Sequence, residues 1–161
     1  MIKMQEKIRQ CEIEAFLHHE ARLLDCNDYE AWMALFTHDG DYFIPLDPAQ
    51  DDPARFDSII YENRDLMMVR AENYAHPKSP SQEHKIRSAR LITGITIAES
   101  QEDRLLVCSN FLCTIQYKSK IQYTGSYEHH LMISNGAFRI KRKRVNLIDA
   151  DQPFGPIMTY L

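Results

Sequence analysis

Apolar residues early in the chain recur at spacings of three and four positions, which is the period of an amphipathic helix. The residues of this stripe are Ile13, Phe16, Leu17, Ala21 and Leu24. They share one face of a helix, so that face would pack on the core while the polar positions between them meet water. The pattern predicts a first helix that docks on the rest of the chain through this stripe.

A second, short helix is predicted directly after the first. Asn27 has the side chain of an N-cap, and Glu30, three positions later, completes the pattern of a capping box. The inward-facing residues of this helix would be Trp32, Leu35 and Phe36. The helix should end near residues 39–40, where the sequence Asp-Gly interrupts the pattern.

The middle of the chain alternates short elements with polar loops. Residues 41–45 have the composition of a strand that a proline terminates, and residues 58–61 are strand-like. Between them, residues 46–56 combine aspartates with prolines and predict an exposed loop. Residues 62–72 predict a third helix, and residues 74–83 predict a second loop. The third-helix residues expected to pack are Leu66, Met67 and Val69.

From residue 86 onwards the hydrophobic period changes to two, which is the period of strands. The predicted strands are 86–98, 104–118, 121–133 and 138–148. Asn135 and Gly136 predict a type I′ hairpin turn between the last two strands. Gly94 predicts a bulge in the first strand, and a change of apolar phase predicts another near residues 142–144.

Helices followed by long strands predict an α+β fold, with N-terminal helices packed on one face of a curved, mostly antiparallel sheet. The 161 residues fit a single domain, 1–161. The formal net charge of −4 gives no general attraction to nucleic acid or anionic lipid. Apolar runs are too short for a membrane span, and the N-terminus lacks the apolar segment of a secretory signal, so we expect a cytoplasmic protein.

Neither the cysteines nor the histidines follow a metal-binding pattern. The spacing of Cys11, Cys26, Cys108 and Cys113 matches neither a zinc ribbon nor a CxxC pair, which favours reduced, buried thiols. The histidines include no H-E-x-x-H motif, and adjacent histidines point in different directions on a helix or a strand. No cysteine is followed by a histidine at the spacing of a Rieske cluster. We therefore expect no metal and no cofactor in this chain.

The densest charge feature is the basic run Arg139, Lys141, Arg142, Lys143 and Arg144. Such a run is either a nucleic-acid patch or a strand face whose cations meet water and pair with carboxylates. The net negative charge of the chain favours the second interpretation. A guanidinium fork suits bidentate pairing, so one of the arginines is expected to reach a buried or interfacial carboxylate.

Helices packed against a curved sheet leave room for a pocket, and a pocket can hold an acid–base pair. The candidates for catalysis are His129, Tyr127, Tyr42 and Asp41. His129 shares the apolar phase of its strand, which is typical both of a hydrogen-bonded core histidine and of a catalytic base. This leaves a stand-alone isomerase or dehydratase, or a small-ligand-binding protein, as the alternative function.

A set of short motifs follows in a fixed order along the chain. The motifs are Phe16-Leu17, EARLLD at 20–25, Trp32, Leu35-Phe36, Asp39, DY at 41–42, Pro45, IYENR at 60–64, Leu66, SNF at 109–111 and RKRV at 142–145. Their order and spacing resemble the beta (small) subunits of aromatic-ring-hydroxylating, Rieske-type dioxygenases over nearly the whole chain. The third helix is more apolar than is usual in that family, which leaves the subfamily and the aromatic substrate open.

The resemblance implies a cystatin-like cone of the nuclear-transport-factor-like type. It also implies a small, structural, non-redox subunit that supports the catalytic large (alpha) subunit of a multicomponent non-haem iron dioxygenase in the breakdown of aromatic compounds. The Rieske [2Fe-2S] cluster and the mononuclear iron would lie in that large subunit, and three large and three small subunits would form a hexamer. No catalytic residue carries over, since none is established for the small subunit.

An assembly role requires surface anchors, for which aromatic residues and arginines are favoured. The candidate interface residues are Tyr42, Phe43, Tyr61, Arg142, Arg144, Phe154 and Tyr160. Residues 154–161 are largely apolar, so we expect this segment to dock as an edge strand or within an interface. Its deletion should then weaken assembly.

Overall fold

A computed structural model describes residues 2–75, 86–153 and 155–161. Within these ranges the helices are α1 (Ile2–Asp25), α2 (Tyr29–Met33) and α3 (Arg64–Ala75). The strands are β1 (Phe36–Pro45), β2 (Ser58–Asn63), β3 (Arg87–Ser100), β4 (Arg104–Tyr117), β5 (Ser119–Ser134) and β6 (Ala137–Leu147). Most of the predicted loop 74–83 lies outside the described residues, and its first two residues belong to α3.

The described strands form a 6-stranded sheet in the order β2-β1-β6-β5-β4-β3. Neighbouring strands are antiparallel except β1 and β6, which run parallel. The early strand β1 therefore lies beside the late strand β6, and this long-range pairing joins the helical part of the chain to the long hairpins. The arrangement confirms the predicted α+β fold with a mostly antiparallel sheet.

The helices lie on one face of the sheet, and this face carries the core. α1 packs on β3 and α3 packs on β1, and Ile13, Leu17 and Leu24 of the predicted stripe are fully buried. Burial alternates along β4, whose buried residues are Leu105, Val107, Ser109, Phe111, Cys113 and Ile115. No helix among the described residues covers the opposite face, which we call the outer face.

Two predicted breaks in the strand pattern are confirmed. Gly94 has a φ of 63°, in the left-handed region that favours glycine, and the register of β3 shifts around it. Asn135 and Gly136 have φ values of 51° and 74° and join β5 to β6, as a type I′ turn requires. Both signals could be read from the sequence because they depend on local backbone conformation.

A bulge in β6 decides which basic residues face the core. The ladder between β5 and β6 skips Lys141, so the bulge begins just before the predicted residues 142–144. Its consequence is that Lys143, rather than Arg142, shares the buried face with Ile140.

The boundaries of the short helix differ from the prediction. Asp28, not Asn27, is the N-cap of α2, and its side chain accepts a hydrogen bond from the backbone N–H of Ala31 at 3.2 Å. Asn27 has a φ of 58° and follows the end of α1, a left-handed position that asparagine tolerates. The helix ends at Met33 and Phe36 already begins β1, because pairing with β6 competes successfully for this segment.

The third helix begins at Arg64, two residues later than predicted. The side chain of Asn63 caps it by accepting a hydrogen bond from the backbone N–H of Leu66 at 3.0 Å. Met67 is fully buried as predicted, whereas Leu66 and Val69 are 53% and 52% exposed. The prediction that these two residues pack on the core is wrong, since they face solvent in the described chain.

Candidate functional site

A buried carboxylate, Glu20 of α1, lies between the helices and the sheet and is 1% exposed. Its Oε1 accepts hydrogen bonds from Trp32 Nε1 at 3.0 Å and from Lys143 Nζ at 2.9 Å. Its Oε2 lies 2.8 Å from His129 Nε2. The carboxylate joins α1, α2, β5 and β6, and we call these four residues the Glu20 network.

The sequence contained a signal for this network that the hydrophobic pattern concealed. Glu20 stands three positions after Leu17 and four before Leu24, so it lies on the buried stripe of α1. Lys143 belongs to a basic run, and its inward orientation depends on the bulge at Lys141. A charged residue in phase with a buried stripe requires a buried partner, and that requirement could have identified Glu20.

The Glu20 carboxyl is held in its ionised form. Burial by itself would raise its pKa, but the charge of Lys143, the contact with His129 and the hydrogen bond from Trp32 together hold the pKa well below its ordinary value. An ionised carboxylate only accepts hydrogen bonds, so His129 carries its hydrogen on Nε2. Burial lowers the pKa of Lys143, and the contact with Glu20 opposes that shift.

Aromatic rings complete the surroundings of the Lys143 ammonium. Its Nζ lies 4.4 Å from the ring centroid of Tyr127 and 5.9 Å from the ring of Trp32. Phe111 stacks on the Tyr127 ring, with the two centroids 4.1 Å apart. The charge pair is therefore enclosed by ring faces, and Lys143 is 1% exposed.

The lowered pKa of Glu20 predicts a loss of stability in acid. A carboxyl whose pKa is lower in the folded chain stabilises the fold above its unfolded value of about 4.3. That contribution declines as the pH falls below this value towards the folded-state pKa. We expect the melting temperature, followed by circular dichroism, to fall below about pH 4 and to fall less steeply in a Glu20→Gln variant. Equal slopes for the two proteins would contradict the assignment.

The structure separates the residues considered for acid–base catalysis. His129 and Tyr127 lie on the buried face, with ring centroids 5.6 Å apart. Asp41 lies on the outer face, where its two carboxylate oxygens accept hydrogen bonds from Arg142 at 2.7 and 2.8 Å. The sheet separates Asp41 from His129, so the prediction of a site that uses both residues is wrong.

His129 is a hydrogen-bonded core residue, the simpler of its two interpretations. The residue is 0% exposed and its Nε2 is committed to Glu20. Burial raises the pKa of Tyr127 well above its ordinary value, so its hydroxyl is a weaker acid than that of an exposed tyrosine. Tyr127 Oη, His129 Nδ1 and Ser109 Oγ are buried without a hydrogen-bond partner in the part of the chain that the structure describes.

Residues 155–161 run into the interior of the molecule. Thr159, Tyr160 and Leu161 are 0%, 1% and 0% exposed. Tyr42, also fully buried, accepts a hydrogen bond on its hydroxyl from the backbone N–H of Leu161 at 3.0 Å. The prediction that this segment forms an edge strand is wrong, because side chains of the same chain hold the tail in the core. Deleting it should therefore destabilise the fold before it affects any assembly.

Three of the predicted interface anchors leave no surface for a partner. Tyr42 and Phe43 are 0% exposed and Tyr160 is 1% exposed. Tyr42 and Tyr160 belong to the core, and Phe43 is covered on the outer face by its neighbours. The prediction that these three residues are interface anchors is wrong, because a partner cannot contact side chains that their own chain encloses. Phe154 lies outside the described residues.

The remaining interface candidates meet on the outer face around Phe43. The guanidinium carbons of Arg142 and Arg144 lie 5.6 and 5.5 Å from the centroid of its ring. The ring of Tyr61 meets it edge-on at 6.0 Å and is 44% exposed. We call Tyr61, Arg142 and Arg144 the outer-face cluster.

The basic run on β6 is compensated by groups of the same chain. The ion pairs are Lys141–Asp39, Arg142–Asp41 and Lys143–Glu20. Arg144 donates hydrogen bonds to Asn146 Oδ1 at 2.7 Å and to the carbonyl oxygen of Pro48 at 2.6 Å. The expected bidentate pair of an arginine with a carboxylate is thus Arg142 with Asp41, and most cations of the run have partners within the chain.

The described residues contain no group of three or more His, Cys, Asp or Glu side chains placed to hold a metal ion. Cys113 is buried as predicted, but Cys11 and Cys26 are exposed and Cys108 is half-buried, so the prediction of buried thiols fails for these three. In the same part of the chain, no helix is both long and apolar enough to cross a membrane.

Comparisons with known proteins point to one family. A family model described as "Ring hydroxylating beta subunit" matches residues 19–151. The chain is 30% identical, over 165 residues, to the small oxygenase component of the p-cumate 2,3-dioxygenase system of Pseudomonas putida. That alignment covers 96% of this chain and 88% of the relative.

Solved structures agree with the fold. The beta subunit of the benzoate 1,2-dioxygenase of Burkholderia mallei has a TM-score of 0.75 at 24% identity, covering 93% of this chain and 96% of that chain. An NTF2-like protein with a cystatin-like fold from Novosphingobium aromaticivorans has a TM-score of 0.65 at 13% identity, covering 92% and 87%. These likenesses confirm the cystatin-like fold. With the family match over residues 19–151, they lead to one conclusion: the chain belongs to the family of ring-hydroxylating dioxygenase beta subunits.

Proposed function

We propose that the protein is the small, structural subunit of a multicomponent dioxygenase that hydroxylates an aromatic ring. The observation that carries the proposal is the closed interior. The face of the sheet on which a cone-shaped fold could hold a substrate is filled by the chain's own side chains. The largest of them are Trp32, Tyr42, Tyr127, Tyr160 and Lys143. A packed interior suits a chain that contributes shape and contacts, while another subunit supplies the chemistry.

The partner in this proposal is a large oxygenase subunit, with which beta subunits of such dioxygenases pair. We infer a hexamer of three large and three small subunits, with the Rieske [2Fe-2S] cluster and the mononuclear iron in the large subunit. A Rieske cluster requires two cysteines and two histidines, and no cysteine of this sequence precedes a histidine at the required spacing. The free cysteines are suited to the reducing conditions of the cytoplasm, where we place the complex.

The surface we assign to a neighbouring subunit is the outer-face cluster. Aromatic and arginine side chains held in one geometry lose little freedom on binding, and such groups dominate the binding energy of interfaces. Tyr61, Arg142 and Arg144 are held in this way by the ring of Phe43. The described helices all lie on the other face of the sheet, so Tyr61, which is 44% exposed, is open to a partner, whereas Arg144 is 9% exposed and supports the cluster from within the chain.

Replacing Tyr61 by alanine is expected to weaken association with the large subunit at least about tenfold, a change of about 1.4 kcal/mol. The melting temperature of the isolated chain should change little, because Tyr61 is 44% exposed. Ile148→Ala is the matched control, since it removes an apolar side chain that is 76% exposed. Biolayer interferometry with immobilised large subunit measures both, and equal affinities for the two variants would rule out the outer face as the contact.

Co-expression tests the proposed function itself. The chain is produced together with a Rieske-type large oxygenase subunit and purified through a tag on that subunit. We expect a brown complex whose mass by light scattering corresponds to six chains, and a colourless chain when it is produced alone. Failure to co-purify, together with turnover of a substrate by the isolated chain that His129→Ala abolishes, would overturn the proposal.

A further inference from the structure

Side chains, and not a strand ladder, hold the tail in the core. Arg90 donates a hydrogen bond to the carbonyl oxygen of Tyr160, and Tyr29 shares a hydrogen bond of 2.8 Å with the hydroxyl of Thr159. In the described residues, no hydrogen bond between two main-chain groups joins 155–161 to another segment. The tail is therefore held as a bound peptide would be, by surrounding side chains that contact both its side chains and its main-chain groups.

Tyr160 lies at the centre of the site that holds the tail, and we call the residues around its side chain the seat of Tyr160. Its ring lies 4.5 Å from the ring of Trp32, centroid to centroid, and 5.0 Å from the ring of Tyr42. Further rings, those of Tyr29 and Tyr74, lie 5.8 and 5.9 Å away. The contacts of such an aromatic box are made with the ring alone, and they do not require that the ring belong to the chain.

The polar contacts of Tyr160 are equally independent of its attachment to the chain. Its hydroxyl donates a hydrogen bond to Glu62 Oε2 at 2.9 Å and lies 3.1 Å from the carbonyl oxygen of Met67. Glu62 is held in place by an ion pair with Arg70. The ion pair that positions this carboxylate therefore involves no residue of the tail.

At the main-chain end of Tyr160, Arg90 has one more hydrogen-bond donor than the tail uses. Its guanidinium is held by Asp25 and bonds the carbonyl oxygen of Tyr160. Its Nε is buried and has no hydrogen-bond partner among the described residues. A carboxylate in the place of the peptide carbonyl would take up this unused donor, and charge-assisted hydrogen bonds of that kind are the stronger ones.

We propose that the seat of Tyr160 is a binding site for a 4-hydroxyphenyl ligand that carries a carboxylate on a short para chain, and that the tail is its intramolecular occupant. The ring takes the aromatic box, the hydroxyl takes Glu62, and the carboxylate takes Arg90. 3-(4-Hydroxyphenyl)propionate has the same number of bonds between ring and oxygen as the tyrosine unit. The site does not depend on assembly with a large subunit.

The tail competes with such a ligand because it is tethered beside its own seat. A tethered group has an effective concentration on the order of millimolar. The native chain should therefore bind the free ligand at least about tenfold more weakly than a chain without the Tyr160 ring.

The test uses the full chain with Tyr160→Ala and 3-(4-hydroxyphenyl)propionate as the probe. Trp32 is the single tryptophan of the sequence, so its fluorescence reports on the seat. We expect a dissociation constant below about 1 mM for the variant, and binding at least about tenfold weaker for the native chain and for Phe56→Ala, whose side chain is 59% exposed. 3-Phenylpropionate and 3-(4-hydroxyphenyl)propan-1-ol should each bind the variant at least about fivefold more weakly, because each lacks one polar contact. Equal binding of all three compounds, or of none, by the folded variant would overturn the proposal.

Hydrogen exchange on the native chain gives a test that does not depend on the folding of the variant. Saturating probe should speed exchange of the amides in residues 155–161, since it displaces the tail, while it protects β1, which carries Tyr42. A probe that binds elsewhere leaves tail exchange unchanged or slows it, and either result would also overturn the proposal.

Discussion

Replacing Glu20 by glutamine is expected to lower the free energy of unfolding by about 3–5 kcal/mol. The carboxylate is 1% exposed, and it is the counter-charge of Lys143, which is also 1% exposed. Glutamine keeps the shape and can still accept from Trp32, but it leaves the ammonium uncompensated among aromatic rings. Lys143 must then either lose its proton or draw water into the core, and both cost free energy.

Urea unfolding followed by Trp32 fluorescence measures this loss. Glu128→Gln is the matched control, because Glu128 lies on β5 and pairs with Arg144 at 3.8 Å but is 30% exposed. An ion pair at this distance with a partly exposed carboxylate contributes at most about 1 kcal/mol. If the two variants lose similar stability, the Glu20 network is not the central support that its geometry indicates.

A double replacement separates the charge pair from the shape of the site. Lys143→Met alone leaves Glu20 with His129 and Trp32 but without its ammonium. Combined with Glu20→Gln, it removes both charges, so the double variant should lose at least about 1 kcal/mol less than the sum of the single losses. Strict additivity would show that the two residues act independently.

The features predicted from the sequence are those that local chemistry decides. The strand period, the left-handed φ at Gly94 and the turn at Asn135 and Gly136 follow from backbone preferences of a few residues. The helix-to-strand change at Phe36 was missed, because it depends on a parallel pairing with β6 more than 100 positions away in the chain. The period of the apolar residues predicts a local element, but it does not indicate which distant strand will pair with that segment.

The candidate site shows the same division. His129 was identified as a polar residue on a buried face, but its partner Glu20 was not identified. The residues near His129 in the sequence give no indication of a contact with a helix residue 109 positions earlier. Tyr160 was identified as an anchor from its type alone, and its actual role depends on a site formed by five elements, α2, β1, β2, α3 and β3. Residue type therefore predicted that these side chains bind something, and only the fold decides that the partner is their own chain.

Replacing Gly125 by alanine is expected to lower the free energy of unfolding by about 3 kcal/mol or more. A Cβ built at this glycine lies 1.9 Å from the carbonyl oxygen of Asn146 and 2.9 Å from its carbonyl carbon. Both obstacles are backbone atoms of the neighbouring strand β6, so no side-chain rotation can relieve the clash. β5 and β6 must separate or shift, which breaks hydrogen bonds of a central ladder.

Gly155→Ala is the matched control, because a Cβ at Gly155 meets no heavy atom within 4 Å. Urea unfolding of both variants checks the prediction, and a loss below about 1 kcal/mol for Gly125→Ala would contradict the close approach of the two strands.

The effect of Gly125→Ala should extend beyond the clash, because the same β5–β6 ladder places His129 opposite Lys143. Separating the strands also separates two donors of the Glu20 carboxylate, so Gly125→Ala and Glu20→Gln should be less than additive when combined. A buried glycine of β5 and a buried charge on α1 are thus coupled through one pair of strands.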